Sequence, residues 1–362
     1  MKLNKLVLVA LMALGAVACD KNDGKETSKA PKSVSLKLAN VKAISARSGN
    51  GVPVAPDGGT VKATISDFHV FFTDGTNLYE GKSIAGETTE HAFTITNNQL
   101  PEEIQFHFLP YSVNKVIVVG NAQANSLDFT NVNTYTDLTA LKKSIDDQQD
   151  IEKLVLWGEE ELTFKNNEDH GNLYQASVNV VPLIARFEIA GFTCNFSDPA
   201  KYSAIELKQI AVNNYYKQAT ISGTITSADL SKADTDEGNI MKFLVDGTRP
   251  GWSHDVLDAT LTPESNTDDH VTAPFYYHVY GGNGDTQPEF VLQVVGDNMP
   301  LFVVTKGFIK NGENAVLTDF AAGKIYKLNF TFDDTVFEQP QKCVDVTVDV
   351  VAWEIVPVTP AF

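Results

Sequence analysis

Residues 343–362 (CVDVTVDVVAWEIVPVTPAF) constrain this chain more than any other stretch. Val344, Val346, Val348 and Val350 alternate with Asp345, Thr347 and Asp349, the period of two expected of a strand with one buried face. The phase then changes, because Val351, Trp353 and Ile355 are apolar while Glu354 is not. A one-residue shift turns the buried face over, so the segment reads as two short strands separated by a bulge or kink. A strand at a chain end has two fates open to it. It closes its own sheet, or it leaves without breaking a loop and completes a different one.

The opposite end carries an export signal. Lys2 and Lys5 form a charged start, and residues 6–17 are an apolar run too short to cross a bilayer as a helix. Ala16, Val17 and Ala18 lead directly into Cys19. Small residues before a cysteine are what a bacterial lipoprotein peptidase requires, since the thiol is lipidated and becomes the new N-terminus. Ala16 stands where such signals usually carry leucine, and simple secretion with cleavage at Ala18 is the alternative. Residues 20–32 are polar and charged without apolar periodicity, as expected of a flexible tether.

The net charge is −18 over 362 residues, and it is unevenly spread. The first 47 residues hold nine of the 28 Lys and Arg but only three of the 46 Asp and Glu. That leaves 19 basic against 43 acidic residues, a net charge of −24 on the body of the chain. Such a surface argues against nucleic acid or anionic lipid as an electrostatic partner. No later segment approaches eighteen continuous apolar residues, so the lipid is the expected membrane attachment. Cys194 and Cys343 are far apart in sequence, and their pairing is left open.

The body reads as β. Residues 61–72, 104–119, 154–164 and 173–189 have strand character, with turn signals such as Asp74-Gly75 and Asn166-Asn167 between them. Residues 133–149 are the exception. Leu138, Leu141 and Ile145 fall at helical spacing, and Thr134 with Asp137 resembles a capping box. A second strand series occupies 187–196, 204–216, 218–225, 275–280, 289–295, 301–306 and 324–332, with a hairpin turn expected at 281–284. Many short strands with regular turns predict sandwiches, and a domain boundary near Val180.

Chemistry is sparse. There is no nucleophile elbow, dinucleotide-binding turn, P-loop or His-Glu-x-x-His, and the histidines are scattered. Carboxylates beside His170 and His270 point apart on any strand and read as solvated loops. No catalytic residue, metal site or cofactor is expected.

The residues converge on a family. The chain resembles the fimbrillins, the pilin subunits of the type V pili of Bacteroidales. The resemblance rests on the lipoprotein start at Cys19, on Ile117-Val118-Val119-Gly120-Asn121, and on Leu154-Val155-Leu156-Trp157-Gly158 after the helix. It continues in Ile184-Ala185-Arg186-Phe187, in Gly323-Lys324-Ile325-Tyr326-Lys327-Leu328, and in Val348-Asp349-Val350-Val351-Ala352-Trp353.

That resemblance implies a mainly β fold of two tandem transthyretin-like β-sandwich domains, with one short helix in the N-terminal domain. The implied plan is a signal peptide at 1–18, a lipidated propeptide with the first strand at 19–47, sandwiches at 48–180 and 181–342, and a donor strand at 343–362. It implies proteolytic processing between Arg47 and Ser48 by an Arg-directed protease. Removal of the propeptide would displace a strand carrying Val34, Leu36 and Leu38. A neighbour's tail would fill the groove with Val344, Val346, Val348, Val350, Val351, Trp353 and Ile355. Donation from one subunit's end to the next one's start does not close, so it makes a filament. The implied role is a structural pilin of a surface fimbria. Its implied partners are further copies of itself, anchor and tip subunits, and the outer membrane through lipid before processing. A pilus anchor or tip subunit is an alternative, as is a monomeric surface lipoprotein binding glycan or a host protein.

Overall fold

The computed structural model describes residues 29–41, 62–82, 89–168, 171–197, 202–234, 239, 243–244, 249–263, 275–283, 286–296, 299–313, 315–334, 336 and 343–357. The principal strands of the first half are β1 (Lys32–Leu38), β2 (Lys62–Ile65), β3 (Asp67–Thr73), β4 (Ile104–Leu109), β5 (Lys115–Gly120), β6 (Leu156–Glu161), β7 (Thr163–Glu168) and β8 (Gly171–Val178). The second half contributes β9 (Ile184–Asn195), β10 (Ile205–Asn213), β11 (His254–Leu261), β12 (Tyr276–Tyr280), β13 (Glu289–Gly296), β14 (Met299–Lys310), β15 (Lys324–Asp333), β16 (Cys343–Ala352) and β17 (Glu354–Pro357).

The first half is a two-layer sandwich. One sheet runs β7-β8-β1-β4 and ends in the short strands Gly81–Lys82 and Thr89–Glu90. The other runs from Val181–Pro182 through β6-β5-β3 to Leu78–Tyr79. Alternation sends Phe72 of β3 and Phe106 of β4 inward from opposite sheets, and their rings meet edge to face at 5.0 Å. In the second half one sheet orders its strands β11-β10-β13-β14-β16-β15-β9-β12. Phe187 of β9 and Phe290 of β13 lie four strands apart in that order, yet their rings are 5.6 Å apart. The sheet therefore curls over its own core, as large twisted sheets do.

The helix is shorter than its periodicity predicts. The capping box forms as read, with Asp137 N donating to Thr134 Oγ1 at 3.1 Å and Thr134 N donating to Asp137 Oδ2 at 3.0 Å. Helix α1 nevertheless spans only Tyr135–Ala140. Leu141 turns to φ −58°, ψ 136°, and Lys142–Ser144 pairs antiparallel with Gln218–Thr220 of the second half. Ile145–Gln148 then forms a 3₁₀ turn. Leu138 and Ile145 are still buried, but the chain between them is spent on tying the halves together.

Two special backbone positions matter here, one inside the first half and one where the halves meet. Asn121, after β5, adopts φ +58°, a conformation asparagine tolerates well. Its buried amide accepts from Ser66 N and donates to Thr64 O and Leu154 O, each at 2.8 Å. Gly323 takes φ +72°, and a Cβ there would sit 2.9 Å from Val181 Cβ. Only glycine lets the start of β15 approach the end of the first half so closely.

Candidate functional site

The two ends of the described chain meet at the junction, and the site is built from them. β1 is a central strand. It runs parallel to β8 on one side and antiparallel to β4 on the other. Val34 pairs across to Tyr174 and Phe106, and Leu36 to Ala176 and Ile104. Both are fully buried, while Leu38 is half-buried at the end facing the junction.

Polar contacts fix the register of β1. Lys32 Nζ donates to Val113 O at 2.7 Å and lies 4.2 Å above the Tyr174 ring. Ser33 Oγ and His107 Nδ1 are 2.9 Å apart. Ser35 donates to Glu103, and that hydrogen bond holds the Glu103 carboxyl below its ordinary pKa, with Lys37 adding a weaker pull. Beyond the strand, Asn40 exchanges two hydrogen bonds with Val180, at 2.6 and 3.0 Å. After this turn at residues 39–40, Val41 bridges to Ile355 in parallel.

The tail divides into two pieces with different surroundings. β16 is an interior strand of its own sheet, parallel to β14 and antiparallel to β15. Val344, Val346 and Val348 are fully buried there, Val351 is half-buried, and Val350 is 37% exposed. Donating the first three would open the sheet between β14 and β15 and expose three core valines. Within this chain the expected donor residues thus have two different surroundings, β16 inside its own sheet and β17 with Trp353 outside it.

At Trp353 the chain leaves the strand for one residue and then re-enters as β17. β17 pairs in parallel with β2 of the first half, Ala63 opposite Ile355. Ile355, Ala63 and Ile65 are fully buried, and Trp353 is only 6% exposed. The Trp353 indole N–H is buried without an acceptor among the described residues.

Trp353 covers a buried charge cluster. Its ring lies 5.9 Å from the Arg186 guanidinium and 5.6 Å from the His278 ring. Arg186 donates to Glu188 at 2.7 Å and stacks on Tyr276 at 3.9 Å. His278 Nδ1 is 2.9 Å from the Gln148 carbonyl, so Nδ1 carries the proton and Nε2 accepts from Arg186 at 3.0 Å. Burial, reinforced by the Arg186 charge, pushes His278 down to about 3. The neutral imidazole links Arg186 to the first half. Gln149 adds a bond to His278 O at 3.1 Å, and Trp252 donates to Asp146 at 2.7 Å.

Cys19, Arg47 and Ser48 lie outside the described residues. Cys194 is a buried free thiol, with its pKa raised by burial. Sequence reasoning missed β2 as the partner of the tail and the Arg186–His278–Trp353 cluster. The arginine and tryptophan stood inside the motifs quoted above, but 92 residues separate Arg186 from His278 and no periodicity joins them.

No protein-family model and no curated sequence matches the chain. Solved structures do. A candidate cell adhesion protein from Parabacteroides distasonis superposes with a TM-score of 0.58 at 13% identity, covering 92% of this chain and 99% of that one. A fimbrilin from Porphyromonas gingivalis superposes with a TM-score of 0.50 at 16% identity, covering 90% of this chain and 98% of that one. This chain has the fimbrillin fold. Coverage of both chains nearly end to end means the likeness spans both halves of the fimbrillin fold and not one sandwich alone.

Proposed function

We propose that this chain is a structural subunit of a surface fimbria. On this reading it is exported as a lipoprotein attached at Cys19, processed after Arg47, and polymerised by its C-terminal tail. The observation that carries the reading is the placement of β1: an interior strand belonging to the segment that processing at Arg47 would remove.

The energetics favour replacement over vacancy. Val34 and Leu36 are fully buried, and burial at about 1.5–3 kcal/mol each contributes about 3–6 kcal/mol. Loss of β1 also leaves facing edges of β8 and β4 unpaired, which water or another strand must satisfy. A strand from a second copy restores both the side-chain and the backbone terms. The tail beyond Ala352 is the part that can move at least cost, because β16 stays locked in its own sheet. Ten residues from Trp353 to Phe362 reach about 33 Å when extended, enough to leave the parent molecule.

Deletion of residues 351–362 tests the reading. Electron microscopy of cells carrying the deleted chain should show no fimbriae of this subunit, while the wild type shows them. Fimbriae of normal length from the deleted chain overturn the proposal.

A further inference from the structure

β14 and the short strand Ala315–Leu317 form a hairpin in which Lys310 stands opposite Ala315, so its turn begins Asn311-Gly312-Glu313. All three residues are exposed. Gly312 takes φ +76°, and a Cβ there would meet nothing within 4 Å. Its backbone N–H has no acceptor among the described residues, although its neighbours are tied. Asn311 N donates to Val348 O at 3.0 Å, and Glu313 N donates to Lys310 O at 3.2 Å. The Asn311 side chain reaches across to β16 and donates to Asp349 Oδ1 at 3.0 Å. Asp349 lies one residue beyond Val348, where the pairing of β14 with β16 ends at Lys310. The chain has Asn-Gly pairs at 50–51, 283–284 and 311–312, and only at 311–312 are both residues described.

We infer that Asn311 is a site of spontaneous deamidation, and that its conversion loosens the end of β16. The Gly312 nitrogen attacks Asn311 Cγ, and glycine has no Cβ to block that approach. A cyclic imide forms as the bond to the side-chain nitrogen breaks, and ammonia leaves with the Gly312 proton. Water then opens one or the other imide bond, giving aspartate or isoaspartate with no change of oxidation state. Asp349 sets the consequence. The group that donated to it becomes a second carboxylate, and like charges facing each other on neighbouring strands repel. Lys310 is engaged by Glu313 at 2.6 Å, and Lys327, opposite Asp349 on β15, is one cation for two acids. The isoaspartyl product also adds a carbon to the main chain inside the turn. Both products act where Asn311 N holds Val348 O, close to the end of β16. The inference goes beyond the proposed function and holds for a chain that never polymerises.

Ageing the purified full-length chain at mildly alkaline pH tests the inference, with wild type, Asn311→Gln, Asn311→Asp and Asn311→Asp/Asp349→Asn followed side by side. Peptide mapping by chromatography and mass spectrometry should show aspartate and isoaspartate accumulating at position 311 of the folded wild type. Asn311→Gln should stay unchanged there, because its longer side chain closes an imide ring far more slowly. Hydrogen exchange at residues 348–351 should rise up to about fivefold in aged wild type and in fresh Asn311→Asp. It should return toward the fresh wild-type rate in the double variant, which has lost the facing charge. Asn311 that stays intact in the folded chain while the denatured chain converts overturns the inference. Conversion that leaves exchange at 348–351 unchanged overturns it as well.

Discussion

Val41 and Ile355, 314 positions apart, sit side by side in a parallel bridge, so the two ends of the described chain touch. Ile355 also faces Ala63, which places the tail between the end of the first strand and the body of the first half. Any event that removes Val41 acts on the tail directly.

Truncation before Val351 should leave a folded chain. β16 retains Val344, Val346 and Val348 in the core, and the loss falls on Trp353 and Ile355. At about 1.5–3 kcal/mol each, stability should drop by about 3–6 kcal/mol. Denaturant unfolding should remain cooperative with a lower midpoint. Loss of cooperativity would make the tail an essential core element.

Two valines of equal phase should respond to very different degrees. Val348→Asp places a charge at a fully buried position between β14 and β15 and should cost several kcal/mol, enough to unfold the second half. Val350→Asp, at a site 37% exposed, should cost about 1 kcal/mol or less. Thermal melts of the two variants separate these outcomes.

Stability should fall with acid through His278. Its folded pKa, about 3, lies below the ordinary 6.5, so the unfolded chain binds more protons between those values. The contribution is full above pH 6.5, declines as pH falls, and is lost near pH 3. By pH 5 the decline should be about 2 kcal/mol, from 1.36 kcal/mol per unit of pH. His278→Gln should flatten that part of a pH-dependent unfolding series, provided the variant folds at pH 7.

Asn121→Ala removes one acceptor and two donors from buried partners and leaves alanine at φ +58°. The expected loss is roughly 3 kcal/mol or more. Because Thr64 belongs to β2, hydrogen exchange at β2 should rise more than at β10. Equal exchange at both would refute the local role.

Processing is checked by mass and by sequencing. Arg47 is the sole arginine before Arg186, so Arg47→Ala should accumulate a lipid-bearing precursor, and mature wild-type chain should begin at Ser48. Cys19→Ser should abolish metabolic lipid labelling. Persistence of label in that variant refutes attachment at Cys19.

The sequence by itself determined the β class and most strands, because alternation is local and one buried face enforces it along each strand. It also determined the cap of α1, whose Thr134 and Asp137 act over three residues. Tertiary structure decided where that helix ends, since pairing of Lys142–Ser144 with Gln218–Thr220 outweighs helical spacing at Leu141. It decided that Val344 to Val348 belong to their own sheet while Ile355 crosses to the first half. An alternating strand specifies which of its faces is buried but not which sheet will bury it. That choice depends on edges tens of residues away for β16 and almost three hundred away for Ile355, and it comes into being only when the whole chain has folded.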